Sequence, residues 1–369
     1  MKASCVTRVL MVMGILLSIC VSGALAENYS ITDLGPVYSG AEYAGQSERR
    51  GHIKGITNIG SLGLYGNHGI AINNAGQATG SYSGPNGSLA FLYSKGIMVG
   101  IGTLGGDYSH GIGINSAGEV VGDSSLVGEA THHAFHYSKG RMTDLGTLGG
   151  YLSWARGINN RGQVVGASYT NDTDTHAFLY SGGLMIDLGT LGGYNSVATG
   201  INNAGQVVGY SQWGEEYTKW RAFLYTGGTM IDLGIPGDVS FAYGINDSGQ
   251  VVGDYHFDGP YFTHAFLYSD GVMTDLGTLD GDPASFVSGI NNVGQVVGNS
   301  YSWVSSIQKP FFYDKGVMIN LNTLLSPDSG WKLSSAMGIN ESGQIIGFGS
   351  KDGGMIRTFI MTPPKTKKP

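Results

Sequence analysis

The side chains of this 369-residue chain that can bind or react fall into four groups. They are the tryptophans with their aromatic neighbours, a histidine cluster, short acidic loops, and residues that occur once where their surroundings repeat. Trp154, Tyr194, Trp213, Trp220, Tyr261, Phe262, Tyr301 and Trp303 are the candidate binding residues. Exposed Trp and Tyr offer large contact area at low entropic cost, which suits protein interfaces and stacking on sugar rings. His132, His133 and His136 have the type but not the spacing of a metal site, because in a strand residues 132 and 136 share a face about 13 Å apart. Asn171-Asp172-Thr173-Asp174 and Asp280-Gly281-Asp282 lack the distal Glu of a calcium loop. Gly122-Asp123-Ser124 occupies a slot also held by Gly166-Ala167-Ser168 and Gly209-Tyr210-Ser211, and no G-x-S-x-G elbow occurs. No nucleotide-binding phrase lies between a strand and a helix. Neither a metal nor a cofactor is expected. Were the protein an enzyme, the unrepeated Asp107, His110, Arg156 and Asp238 would be the groups to converge on one bond.

Most other residues belong to a repeat. The phrase G-I-N-x-x-G-Q-V-V-G recurs seven times, with its Asn at 73, 115, 159, 202, 246, 291 and 340, spaced by 42 to 49 residues. Between these anchors recur A-F-L-Y, as at 177–180, and M-x-D-L-G-T-L-G-G, as at 142–150. Each unit therefore holds four short segments rich in Val, Ile, Phe, Tyr and Leu and bounded by turn residues, which predicts strands. They are named a (ending in G-I-N), b (G-Q-V-V-G), c (A-F-L-Y) and d (M-x-D-L-G). No segment after residue 26 shows helical periodicity. The repeated Asn, with Gly three residues on, reads as a turn former, as do Asp144, Asp187, Asp232 and Asp275.

Two intervals never vary. The anchor Asn stands seven residues before the Gly of V-V-G, and the Tyr of strand c eight before the Leu of strand d, so a–b and c–d are hairpins. The b–c connection varies. Four antiparallel strands in about 43 residues match a propeller blade, whereas a parallel β-helix repeats a shorter coil. Ser153, Ala155 and Gly157 alternate on one face of strand a, small enough for the crowded axis. The expected fold is all-β: a seven-bladed propeller of four-stranded antiparallel blades.

The seventh unit ends without strand d. Two spare copies lie near the N-terminus, Ile31-Thr32-Asp33-Leu34-Gly35 and Ile56-Thr57-Asn58-Ile59-Gly60. The interval from Asn58 to Asn73 equals that from Asp144 to Asn159, so 56–60 is taken as the strand that completes the last blade and closes the ring. That leaves 27–55 as an extension or rim strand, 56–362 as the propeller and 363–369 as a disordered basic tail. In this meander b–c and d–a connections share one rim. All five tryptophans fall in or beside those connections, and loops on a rigid scaffold carry binding sites.

Residues 1–26 read as a secretory signal peptide, with Lys2 and Arg8, an apolar run from Val9 to Val21 and the small-x-small site Ala24-Leu25-Ala26. Both cysteines, Cys5 and Cys20, lie within it, so the mature chain would hold no disulfide and no thiolate ligand. It would carry 18 basic and 27 acidic side chains, a charge of −9 that repels nucleic acid and anionic lipid. No nucleic acid, no membrane insertion and a monomer are expected, with a secreted location, extracellular or periplasmic.

His133-Ala134-Phe135, His176-Ala177-Phe178 and His264-Ala265-Phe266, with D-L-G-T-L-G-G at 144–150 and 187–193, resemble the HAF-repeat family of predicted extracellular bacterial proteins. The resemblance covers about residues 30–361. Leu89, Arg221, Lys309 and Arg357 depart from the family's His, and Pro310 and Thr358 from its Ala. It implies export and tandem β-repeats and assigns no catalytic residue. The expected function is a binding or scaffolding module whose ligand, a glycan or a surface or matrix protein, meets the aromatic rim. The alternatives are a propeller hydrolase or lyase with its site at the channel mouth, or a structural cell-surface component.

Overall fold

The computed structural model describes residues 29–38, 59–60, 71–83, 87–128, 131–214, 218–257, 262–303 and 307–364. Residues 1–26, read above as a leader, Tyr261, residues 56–58 and the end of the basic tail lie outside them. The described residues form strands almost throughout, and none forms an α-helix. Blades 1 to 6 span 71–100, 105–144, 153–187, 192–232, 239–277 and 284–320. Blade 7 spans 331–362 and takes its fourth strand from Ser30–Tyr38. Each is an a-b-c-d meander, as in blade 3, where Ser153–Ile158, Val164–Tyr169, Thr175–Ser181 and Leu184–Asp187 pair in that order. Single parallel bridges, Trp220 to Val239 and Thr263 to Ala284, also tie blades 4, 5 and 6 together.

The repeated residues are the joints between blades. The Phe of every A-F-L-Y slot is fully buried, from Phe91 to Phe359. The Gly of V-V-G leaves room for the neighbouring strand: a Cβ on Gly166 would collide with the Trp154 carbonyl oxygen. The strand-a serine crosses to the blade before it. Ser153 Oγ accepts from the Ala134 amide at 2.9 Å and donates to the Gly146 carbonyl at 2.6 Å. Ser109, Ser196 and Ser285 make the same pair of bonds. The strand-d aspartates do bond their turn, as Asp144 accepts from the Gly146 amide, and they also hold the His of H-A-F: His133 Nδ1 lies 2.9 Å from Asp144.

The anchor asparagines do more than form turns. Asn159 Oδ1 accepts from the amides of Arg161 and Gln163 in its own turn, while Nδ2 donates to Gln163 Oε1 and to the Asn202 carbonyl of the next blade. All seven repeat the inter-blade bond, at 2.8 to 3.1 Å, and Asn340 donates to Asn73. The hydrogen bonds run once round the axis and return to their start.

The closing strand differs from expectation. Ser30–Tyr38, not 56–60, pairs antiparallel with Ile356–Thr362, with Ser30 opposite Thr362 and Asp33 opposite Phe359. Residues 30–38 thus belong to the propeller and not to an extension, while Ile59–Gly60 pairs parallel with Val37 and Tyr38. The reason is chemical. Asp33 occupies the strand-d Asp position, and both its carboxylate oxygens take the Arg357 Nε at 2.8 Å, where other blades pair Asp with His. Asn58, the residue at that position in the other copy, has no charge to offer Arg357. Leu34 is fully buried beside Ile346 and Ile360.

Two outcomes follow from these joints. In a chain expressed from residue 27, Ser30→Cys with Thr362→Cys is expected to crosslink on mild oxidation, because directly opposed residues place their Cβ atoms about 4.5–5.5 Å apart; mass spectrometry of the non-reduced digest reads it, and crosslinking of Thr362→Cys to Asn58→Cys instead would return the closure to 56–60. Asn202→Ala leaves two amides, a carbonyl and a Gln oxygen without partners, and is expected to cost about 2–4 kcal/mol by chemical denaturation.

Candidate functional site

Two backbone features aim unlike side chains at the axis. In blades 2 to 7 strand a carries a bulge three residues before the ring asparagine, seen as register breaks such as Ala155/Gly157 and Ala242/Gly244. A bulge leaves one residue unpaired and re-aims it. Here those residues are Ile112, Arg156, Thr199, Tyr243, Ser288 and Met337, and all six line a central cavity of about 520 Å³. The second source is the residue after V-V-G on strand b, of which Tyr210, Asp254 and Asn299 line the same cavity. The serine that follows is structural: Ser168 and Ser211 accept from the Leu148 and Leu191 amides. The residue before it varies from blade to blade, and in blades 4 to 6 it reaches the channel.

Asp254 is strongly perturbed. It is 3 % exposed. Its Oδ2 accepts from the Tyr243 hydroxyl at 3.2 Å, and its Oδ1 makes no hydrogen bond. Burial pushes its carboxyl up to about 8, with the Val287 amide and the Tyr243 hydroxyl only moderating the rise. Burial and the neighbouring Asp254 push the Tyr243 phenol well up too. The next blade carries an amide at the equivalent position. There Asn299 accepts from the Ala336 amide at 3.0 Å and donates to the Ala336 carbonyl at 3.1 Å. Val287 stands where Ala336 does, four residues before its ring asparagine.

Arg156 is the cation of the channel. Burial pulls its guanidinium down, and Tyr210 and Asp123 pull it back up. It makes no hydrogen bond or ion pair among the described residues; Asp123 lies instead 3.5 Å from His110. An aromatic series connects the channel to the b–c end of blades 4 and 5. Tyr210 lies 5.4 Å from Trp220 and 5.0 Å from Phe241, and Phe241 stacks 6.4 Å from Tyr243.

The expected binding residues divide by exposure. Trp213 and Trp303 are open to solvent, at 48 % and 46 %, as are Tyr194 and Phe262. Trp213 carries Arg221 above its ring at 5.8 Å, Trp303 meets half-buried Tyr301 edge-on at 4.5 Å, and Phe262 packs on Phe257 at 5.9 Å. Trp154 and Trp220 are not open rim residues. Both are half-buried, Trp154 against Tyr169 with its Nε1 unpartnered and Trp220 against Tyr210 and Phe241, because each begins a strand that its neighbours cover. Trp331 covers Phe359.

The other candidates are dispersed. His110 and Arg156 stand on strand a of blades 2 and 3, whereas Asp107 and Asp238 are exposed, Asp238 on a groove with Lys219 and His256 three blades from His110. The clustered histidines go to separate neighbours: His133 to Asp144, His136 towards Glu119 and His132 onto Tyr108. Asp280 and Asp282 hold Lys309, and Asn171 folds the 171–174 turn on itself. Sequence reasoning did not single out Tyr210, Tyr243 or Asp254. The available signal was the variable residue after V-V-G, which reads Ser81, Asp123, Ala167, Tyr210, Asp254, Asn299 and Phe348 along the chain.

No family model matches the chain, and no curated protein matches it. Among solved structures it is similar to the β-propeller domain of the Trilobed protease from Pyrococcus furiosus, with a TM-score of 0.53 and 9 % identity over 81 % of this chain and 97 % of that one. It is also similar to a puromycin-hydrolyzing peptidase from Mycobacterium tuberculosis, with a TM-score of 0.52 and 12 % identity over 81 % of this chain and 51 % of that one. The chain thus spans about half the length of that peptidase. At such identities the likeness shows the fold, a β-propeller, and nothing of activity. The Pyrococcus domain is reported with an open velcro topology. Here an N-terminal strand pairs with the last one.

The buried carboxyl makes a pH prediction. Folded Asp254 keeps its proton to about 8, whereas an unfolded Asp loses it near 3.9. Between these values the folded state binds the extra proton, so its contribution to stability is full below the lower value and is lost as pH rises to the upper one. Asp254→Asn is expected to melt with the native protein near pH 4 and several degrees above it at pH 8–9. Parallel melting curves across that range would remove the assignment.

Proposed function

We propose that this protein is exported and acts as a binding module, taking a glycan or a surface protein at the propeller end formed by the b–c and d–a connections. One observation carries the reading. Among the described residues every exposed aromatic, Tyr151, Tyr194, Trp213, Phe257, Phe262 and Trp303, sits at that end, and none at the end bearing the asparagine ring. Folding does not require this, since the ring is held by buried Phe, Ser and Asn. Rigid rings exposed on one face are the composition of recognition surfaces. The leader-like residues 1–26 and the likeness to HAF-repeat proteins support export. No helix among the described residues is long and apolar enough to cross a membrane.

Trp213→Ala with Trp303→Ala tests the reading. Both rings are half-exposed, so the variant is expected to melt within about 2 °C of the native protein, surface changes being worth about 0.5 kcal/mol or less. Binding on a glycan array, or capture from a cell-surface extract, is expected to fall tenfold or more. Unchanged binding by the double variant would remove the rim as the site. A native protein that binds nothing and assembles with itself would favour a structural role.

A further inference from the structure

We propose that the central channel is a subsite for the carboxylate of an acidic sugar residue, with Arg156 as its counter-ion. The proposal rests on the reading above for the end at which the ligand enters, and it names the ligand's chemistry.

Arg156 is the starting point. It is the one charged residue among the six bulge residues that line the cavity, so the repeat does not call for it. Arg156 is half-buried, and its guanidinium has neither hydrogen-bond nor ion-pair partner among the described residues. Removing a cation from water without compensation is costly, and such groups are held where something pairs with them. Asp123 on the adjoining blade influences Arg156 but pairs with His110 at 3.5 Å. Burial pushes the other acid on the channel wall, Asp254, up to about 8, which weakens its opposition to an anion. A guanidinium presents two parallel N–H groups that match a carboxylate.

The remaining lining favours a saccharide. The Tyr210 hydroxyl stands close enough for Arg156 to influence it, and it has no hydrogen-bond partner among the described residues. Ser288, Asn299 and Gln308 add polar groups on the facing wall. The cavity of about 520 Å³ lies within the range of small-molecule sites. Tyr210, which lines the cavity, packs on Trp220 and Phe241 towards the aromatic end, so an aromatic face borders the cavity on that side. The opposite mouth is framed by asparagines with the carboxylates of Asp247 and Glu341, which repel an anion. The channel is thus cationic and aromatic towards one end and anionic at the other.

The test is calorimetric titration of the chain from residue 27. The probes are uronate trisaccharides, of galacturonate, mannuronate and guluronate, each beside its methyl ester. At least one acid is expected to bind, with its ester tenfold or more weaker. Arg156→Gln should lower affinity for the acid tenfold or more and bring acid and ester together. Arg156→Lys should keep part of the preference, and Tyr210→Phe should lose about threefold. If Arg156→Gln does not fold, the acid–ester comparison and Arg156→Lys still decide. Equal binding of every acid and its ester overturns the proposal, as does an Arg156→Gln variant with native melting and native affinity. If binding then still depends on Trp213 and Trp303, the rim reading survives and the channel subsite falls. If no saccharide binds and the rim captures nothing, both fall. Binding of short peptides through their free α-carboxylate, lost in Arg156→Gln, with no uronate bound, overturns the saccharide assignment.

Discussion

At the a–b turn of each blade a buried asparagine gives one amide hydrogen to the Gln or Glu four residues on and the other to the main-chain carbonyl of the next blade's asparagine. Its oxygen meanwhile holds the turn. The acceptor across the joint is backbone, so the bond sets the separation of neighbouring inner strands whatever side chains they carry. Each link that failed would strand a buried carbonyl and a buried amide, at about 1–3 kcal/mol per group. Seven equal links leave no free donor or acceptor in the series, because Asn340 finds Asn73. The ring constrains blade number and inclination together. The buried phenylalanines and the bridging serines then pack blades already spaced by it.

With those joints satisfied, few positions near the axis remain without a structural task. They are the bulge residue of strand a and the residue after V-V-G. The first escapes the ladder because the bulge removes its partner, and the second follows a Gly that must stay small. Some of these side chains still reach the next blade, Thr199 Oγ1 donating to the Ala242 carbonyl and Asn299 bonding Ala336. Arg156, Thr199, Tyr210, Tyr243, Asp254 and Asn299 therefore differ from one another while their surroundings repeat. Asp254 and Asn299 show how far that freedom extends. Asn299 ties the next blade's backbone, whereas at the equivalent position burial pushes the Asp254 carboxyl up to about 8.

The two ends of the ring are chemically distinct for the same reason. The a–b turns are tied by the asparagine ring and a second set of bonds, in which residues such as Asn160 and Asn203 donate their amides to the next blade. That end is uniform, polar and bears Asp247 and Glu341. The b–c end is joined less regularly, by the Trp220–Val239 and Thr263–Ala284 bridges and by the Thr175 amide on Asn195, and its connections vary in length. Exposed aromatic rings accumulate there.

Strand content, hairpin pairing, blade number and the inner place of strand a could be read in the chain itself. Each follows from local rules: turn residues at constant intervals, alternation of small residues, and a repeat whose period matches four strands. That all five indoles belong to one end followed from the same connectivity. The closing strand could not be read this way. Two similar segments competed, and the decision lay in Arg357, which lies more than 300 residues away and selects Asp33 over Asn58. Nor could the exposure of Trp154 and Trp220 be judged, since it depends on which neighbouring strand covers them. The channel site was hidden for a related reason. A bulge is a register error between strands, with no residue type of its own, and the rise in Asp254 comes from walls supplied by other blades. Chain-local chemistry determined the repeating scaffold, and three-dimensional neighbours decided which of its variable residues meet.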